Sequence, residues 1–110
     1  MRTSYFSKTG KHNDAVSIAG KAPPGFTGRQ YKDLAPLYWF YAKYKEDGDE
    51  AFYTAKYREE ILDKLDPQKV YEDLGEDAIL LCWEGSGKFC HRRLVAAWLE
   101  EILGIEVAEL

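Results

Sequence analysis

The hydrophobic pattern of the chain alternates between short apolar runs and helical stripes. The apolar run 78–83, bounded by turn residues, predicts a strand buried on both faces, as in a parallel sheet. Strands are predicted at residues 2–7, 15–19, 78–83 and 105–107. Helices are predicted at about residues 33–45, 49–65 and 66–74, and from near Cys90 to Gly104.

The order of these elements, ββααα-β-α-β, predicts a small three-layer α/β domain with a partly parallel sheet. A chain of 110 residues is long enough for a single hydrophobic core, so residues 1–110 are expected to form one domain. The segment 20–30 is rich in glycine and proline and is expected to be a long irregular loop. The aromatic run 38–41, with Tyr44, Tyr53 and Tyr57 nearby, is expected to supply core rings and partly exposed tyrosines, and an aromatic ligand cage is the less favoured alternative.

The segment 82–93 reads as the end of a strand, a Gly-Ser-Gly loop and the start of a helix. The first N–H groups of a helix lack internal partners and attract anions, and a glycine loop lets a ligand approach the backbone. We therefore predict a site for a small anionic ligand here. Its predicted ligand-binding residues are Arg92, Lys88, Ser86 and Gly87, with Arg29 from the basic loop. The spacing excludes a P-loop, because Phe89 follows the lysine where Ser or Thr is required.

Cys90 is the predicted centre of any chemistry. A thiol at a helix N-terminus beside basic residues ionises more readily, which favours a nucleophile, although a small buried cysteine is an equal alternative. Glu84 is a candidate general acid or base, or a loop carboxylate paired with an arginine. His91 is a candidate partner, but neighbouring helical residues point about 100° apart.

The same segment permits two other uses of its cysteines. Cys82, Cys90 and His91 are possible zinc ligands, although their spacing matches no standard zinc motif. No cofactor is otherwise expected. A regulatory disulfide between Cys82 and Cys90 is a further alternative, but in the cytoplasm the two thiols are expected to be reduced.

The net charge of −4 is unevenly distributed. Residues 1–32 carry +5, whereas residues 33–110 carry −9. Binding to nucleic acid is therefore not expected, except through the basic first third. No apolar run is long enough to span a membrane and no signal-peptide pattern is present at the start, so a cytoplasmic location is expected. The oligomeric state stays open.

Segments 80–84 and 89–99, with the Cys-x-Glu and Cys-His-Arg patterns, resemble the bacterial and phage "domain of unknown function 488" family. Shorter matches at residues 3–6, 15–19, 28–31, 34–36 and 65–67 extend the resemblance over nearly the whole chain. The resemblance implies a compact α/β domain with these residues clustered, and it implies no particular reaction. Three functions are therefore kept open: a domain that binds or modifies a phosphorylated or nucleotide-like anion, a metal-binding domain, and a non-catalytic bacterial or phage interaction module. Whether the protein is an enzyme also stays open.

Overall fold

The computed structural model describes residues 1–110 and contains a five-stranded sheet in which every paired strand is parallel. The strands are β1 (Arg2–Tyr5), β2 (Ala15–Ser17), β3 (Arg29–Gln30), β4 (Ile79–Cys82) and β5 (Ala108–Glu109). Their order across the sheet is β3-β2-β4-β1-β5, so the apolar strand β4 lies at the centre. The α/β class is confirmed, and the sheet is more uniformly parallel than the sequence predicted.

Five helices accompany the sheet. They are α1 (Phe6–Thr9), α2 (Tyr38–Asp47), α3 (Glu50–Glu60), α4 (Pro67–Leu74) and α5 (His91–Leu103), with 3-10 turns at Lys32–Leu34 and Leu62–Lys64. Asp49 and Asp66 cap the first turns of α3 and α4 with their side chains. Gly104 ends α5 in the left-handed conformation, with a φ of 67°. None of these helices combines the length and apolar character needed to cross a membrane.

The two faces of the sheet are covered very differently. On one face, the alternate strand residues Val16 and Leu80 belong to a cluster of 17 buried residues that includes side chains from each of α2 to α5. On the other face, Ile79 and Leu81 belong to a cluster of five with Phe6 of α1. The second helical layer therefore consists only of α1 and the loop beside it.

Several boundaries differ from the sequence prediction. The predicted first strand stops at Tyr5, because the chain turns into α1 where a strand and loop were expected. The predicted helix 49–65 is divided at Ile61, which leaves the α-helical ladder before the second 3-10 turn. The segment 20–30 contains the two-residue strand β3, and the final strand forms at β5 instead of 105–107.

The topology leaves a crevice at the carboxyl ends of β2 and β4. These strands are neighbours, but the chain leaves β2 towards β3 on one side and leaves β4 towards β5 on the other. In open parallel sheets, ligands bind where the outgoing connections diverge in this way. A ligand site is therefore expected at the residues that follow Ser17 and Cys82.

Candidate functional site

A cavity of about 540 Å³ opens at this crevice. It lies between the segment after β2, the loop after β4, the helix α2 and the start of α5. Its lining residues are Ala19, Gly20, Lys21, Pro36, Tyr38, Tyr41, Tyr44, Tyr53, Cys82, Trp83, Glu84, Phe89, Cys90 and His91. The volume is typical of a pocket for a small organic ligand, for which about 300–1,000 Å³ is usual.

Aromatic rings form one wall of the cavity. Tyr38, Tyr41 and Tyr44 follow one another every three residues along α2, and Phe89 packs against Tyr44 with ring centres 5.2 Å apart. The sequence predicts that this aromatic segment serves mainly the core. That prediction is confirmed for Phe40, which is fully buried, and Tyr41 and Tyr44 pack against the core while also lining the cavity, whereas Tyr38 is 80 % exposed. Their spacing on one helical face, with polar hydroxyl groups, was the signal available in the sequence.

Two cysteines and a histidine form the floor. The structure pairs Cys82 with Cys90 as a disulfide, which is the alternative that the sequence left open beside two reduced thiols. Both cysteines are almost completely buried, yet both line the cavity. Chemistry by Cys90 as a nucleophile therefore requires that this bond first be reduced.

His91 is oriented by a backbone carbonyl. Its Nε2 lies 2.7 Å from the Ile18 carbonyl oxygen, which can only accept, so Nε2 carries the proton. Burial lowers the pKa of His91 to about 4, so the ring is neutral near pH 7 and its Nδ1 is an acceptor. This Nδ1 lies 3.8 Å from Cys90 Sγ. The approach is possible because Cys90 precedes the helix in an extended conformation, with φ −156° and ψ 147°.

Arg92 is fully buried, and protein acceptors occupy all of its N–H groups. Nε and Nη2 donate to the Glu109 carboxylate, with Nη2 2.7 Å from Oε2. Nη1 donates to the Glu84 carbonyl oxygen at 2.7 Å and to Cys82 Sγ at 3.2 Å, and Nη2 also reaches the Gly85 carbonyl at 3.3 Å. A guanidinium has five N–H donors, so none is left for a phosphate. Arg92 thus holds the loop in place, where the sequence predicted a ligand clamp.

Glu109, whose side chain is 23 % exposed, is the acidic partner of this buried guanidinium. Its burial opposes ionisation, but hydrogen bonds from Arg92 and Thr3 and the nearby charge of Arg93 hold the pKa of the carboxyl group below its usual value. Glu109 lies 17 residues beyond Arg92 on the edge strand β5. No local sequence pattern indicated this pairing.

The other predicted residues are distributed around the site. Glu84 lines the cavity and accepts from Lys45 Nζ at 3.1 Å, so its partner is a lysine and not an arginine. Gly87 and Lys88 line a second, shallower cavity of about 440 Å³ behind Phe89. Ser86 is exposed and lines neither of these two cavities.

Arg29 does not reach the site. Its guanidinium donates to the backbone carbonyls of Asp73, at 3.2 Å, and Leu74. These carbonyls end α4, where helical C=O groups lack partners within the helix. Arg29 therefore caps a helix on the far edge of the sheet.

The donor atoms of Cys82, Cys90 and His91 all lie within 4.8 Å of one another. After reduction, two thiolates and the His91 Nδ1 would present three ligands of the kind that zinc prefers. The hydrogen bond from the other ring nitrogen to a carbonyl is also common among metal-binding histidines. The sequence alternative of a metal site is thus geometrically possible, but the disulfide excludes it.

The buried neutral state of His91 predicts a dependence of stability on acid. The unfolded chain binds a proton on this ring near pH 6.5, whereas the folded chain binds it only near pH 4. Stability is therefore complete above pH 6.5 and is lost as the pH falls towards 4, by up to about 3 kcal/mol from this group.

Urea unfolding at several pH values, with a metal chelator present, measures this effect. The control is His91→Gln, whose side-chain amide can still donate to the Ile18 carbonyl but does not titrate. We expect the wild-type free energy of unfolding to fall more steeply than that of the variant between pH 6.5 and 4. Parallel pH profiles for the two proteins would show that His91 is not held neutral.

The fold and the floor of the cavity together define a small parallel α/β protein with a cysteine-centred site at the divergence of its strands. The chain belongs to the DUF488-N3a family, described as the active DUF488-N3 subclade, whose model matches residues 15–103. This match confirms the resemblance found in the sequence, and its range includes every residue that lines the larger cavity. Comparisons with curated proteins and with solved structures gave no match.

Proposed function

We propose that the chain binds a small nucleotide-like anion in the aromatic cavity and, once reduced, modifies it through Cys90. The observation that carries this proposal is that an aromatic wall and the start of α5 face the same cavity. A planar ring and an anionic group attached to it could therefore be held together. Membership of a subclade described as active agrees with a chemical role for the chain.

The aromatic wall favours a flat ligand. Six of the fourteen lining residues are Tyr, Trp or Phe, and Trp83 at the rim is 51 % exposed. Stacking of a base on such a ring contributes about 1–3 kcal/mol and tolerates different bases, because every base has a π face. The wall thus supports recognition of a heterocycle in general.

The anionic group would lie against the first turn of α5. No side chain caps this helix and Arg93 N–H donates to the Cys90 carbonyl, so the N–H groups of His91 and Arg92 are the ones that an anion could engage. Lys21 is the one lysine among the lining residues, while the charge of Glu84 at the rim is matched by Lys45 outside it. One lysine and one helix start suit a single phosphate better than a polyphosphate chain.

The proposed chemistry uses the reduced state. Cys90 would attack an electrophilic atom of the ligand, and His91 Nδ1, 3.8 Å away, would accept the thiol proton. The Ile18 carbonyl would keep the ring in the required tautomer, as the third group of a nucleophile–base arrangement does. The proton on His91 would then pass to the leaving group, and Glu84 at the same cavity, paired with Lys45, is a candidate base.

The binding step can be tested by calorimetry and thermal shift on the reduced protein. Probes would be a nucleoside monophosphate, the corresponding nucleoside and inorganic phosphate. At 100 times its dissociation constant, a bound ligand should stabilise the fold by about 2.7 kcal/mol. We expect the monophosphate to bind most tightly, because it alone engages both the ring wall and the helix start.

A matched pair of tryptophan variants locates the bound ring. Trp83→Ala removes a ring that lines the cavity, whereas Trp39→Ala removes one that is equally exposed, at 49 %, but lies outside it. Trp83→Ala should weaken binding by about ten-fold or more, and Trp39→Ala should leave it unchanged. No stabilisation by any probe, or equal losses in the two variants, would contradict the proposal and favour the non-catalytic interaction module.

Metal binding is a second candidate function, favoured by the three donor atoms that lie within 4.8 Å of one another. Protein purified under reducing conditions without chelator should then carry about one zinc per chain. His91→Gln should lose the metal, because an amide is a poor zinc ligand. Elemental analysis showing no stoichiometric metal in the reduced wild type would reject this candidate.

A further inference from the structure

The disulfide between Cys82 and Cys90 lies where small molecules can approach it. Only seven residues separate the two cysteines, and both line the cavity. A disulfide that only stabilises the core does not need to line a cavity. Its position would allow its sulfur atoms to exchange with thiols that enter the cavity.

The two sulfurs have different surroundings. Cys82 Sγ accepts a hydrogen bond from the buried guanidinium of Arg92 at 3.2 Å. A neighbouring cation that donates to sulfur favours the thiolate over the thiol. Because Arg92 is fixed by Glu109 and by the loop carbonyls, its charge stays beside Cys82 in both redox states.

Cys90 is instead the more accessible of the two cysteines. It is the more exposed of the two, at 4 % against 1 % for Cys82, and it lies at the junction between loop and helix. Cys82 instead ends the central strand β4. In thiol–disulfide exchange, the sulfur that leaves is the one better stabilised as a thiolate, and the sulfur attacked is the accessible one.

We propose that Cys82 and Cys90 form a reversible redox pair, in which Cys90 exchanges with low-molecular-weight thiols and Cys82 is the leaving and resolving sulfur stabilised by Arg92. This proposal does not depend on a nucleotide-like ligand. It assigns separate roles to the two cysteines, and it makes the state of Cys90 dependent on the thiol pool around the protein.

The reaction proceeds in two balanced steps. The thiolate of a small thiol bonds to Cys90 Sγ, the Cys82–Cys90 bond breaks, and its electron pair leaves on Cys82 Sγ. A second small thiolate then attacks the sulfur of the first, which releases a small disulfide and leaves Cys90 as a thiolate. Two small thiols are oxidised, one protein disulfide is reduced, and the two protons of the thiols pass to solvent or to the cysteines.

The reverse reaction provides the experiment. Reduced protein is mixed with hydroxyethyl disulfide, quenched with acid at intervals and examined by mass spectrometry. Wild type should form the internal disulfide with no lasting adduct, because Cys82 resolves the mixed disulfide. Cys82→Ser should accumulate one stable adduct on Cys90, and Cys90→Ser should react about ten-fold or more slowly. The double variant gives the background.

A measurement on unmodified protein guards against variants that fail to fold. Peptide mapping of early acid-quenched wild-type samples should place the transient adduct on Cys90. Adducts mainly on Cys82, or faster reaction of Cys90→Ser than of Cys82→Ser, would overturn the assignment. An oxidised wild type that small thiols reduce only after unfolding would show that the disulfide is purely structural and overturn the proposal.

Discussion

Replacement of Arg92 by methionine is expected to lower the free energy of unfolding by about 2–4 kcal/mol. Methionine keeps much of the buried volume but removes the charge and every donor. The Glu109 carboxylate would lose its buried partner, and the carbonyls of Glu84 and Gly85 would lose their hydrogen bonds. Glu109 would keep Thr3 and Arg93 as partners, so the loss arises mainly from the weakened ion pair and from the Glu84 carbonyl left without its donor.

Urea or thermal unfolding measures this loss, and Arg58→Met provides the matched control. Arg58 lies on the exposed side of α3, so its replacement should change the free energy of unfolding by no more than about 0.5 kcal/mol. Small domains have only about 5–15 kcal/mol in total, so Arg92→Met is also expected to reduce the yield of folded protein. Similar stabilities for the two variants would mean that Arg92 and Glu109 do not form a buried pair.

The second large effect is expected at Tyr57, where alanine should cost about 3–5 kcal/mol. This tyrosine is fully buried in α3 and stacks on Tyr53, with ring centres 6.2 Å apart. It also contacts the His91 ring, with centres 5.5 Å apart, and its hydroxyl donates to the Leu34 carbonyl at 2.6 Å. Truncation of Tyr57 therefore removes core volume and also removes the ring that contacts His91.

A graded series separates these contributions in denaturant unfolding. Tyr57→Phe keeps the ring and removes only the hydroxyl, so it should cost about 1–2 kcal/mol from the buried carbonyl left without its donor. Tyr38→Ala, at a side chain that is 80 % exposed, should change the free energy of unfolding very little. If Tyr57→Phe were as damaging as Tyr57→Ala, the hydrogen bond and not the ring would dominate.

The regular parts of the fold could be predicted because their signals are local. The apolar run of β4 identified the central strand, and Asp66, Pro67 and Gly75 marked the two ends of α4. The two-residue strands β3 and β5 could not be located, because so short an element is decided by what lies beside it. The same applies to the pairing of β1 with β4, whose residues are more than 70 positions apart.

The part of the candidate site that is local in sequence could be predicted, and the part that depends on distant residues could not. Cys82, Cys90 and His91 are close in sequence around one loop, so their convergence followed from the strand–loop–helix pattern. The role of Arg92 did not, because its partner Glu109 returns to it only through the fold. The cavity beside α2 was not predicted, because an aromatic helix indicates a face packed on the core and does not show that Tyr41 and Tyr44 also border open space.

The charge balance at the site depends on the edge strand β5. It has two residues and joins the sheet only through β1, yet it supplies the carboxylate that balances the buried guanidinium beside Cys82. Edge strands are the parts of a sheet most easily displaced or replaced by another chain. Any event that detaches β5 would remove the Glu109 carboxylate and leave Arg92 as an unbalanced cation next to the two sulfur atoms. The pairing of an edge strand therefore controls the net charge beside Cys82.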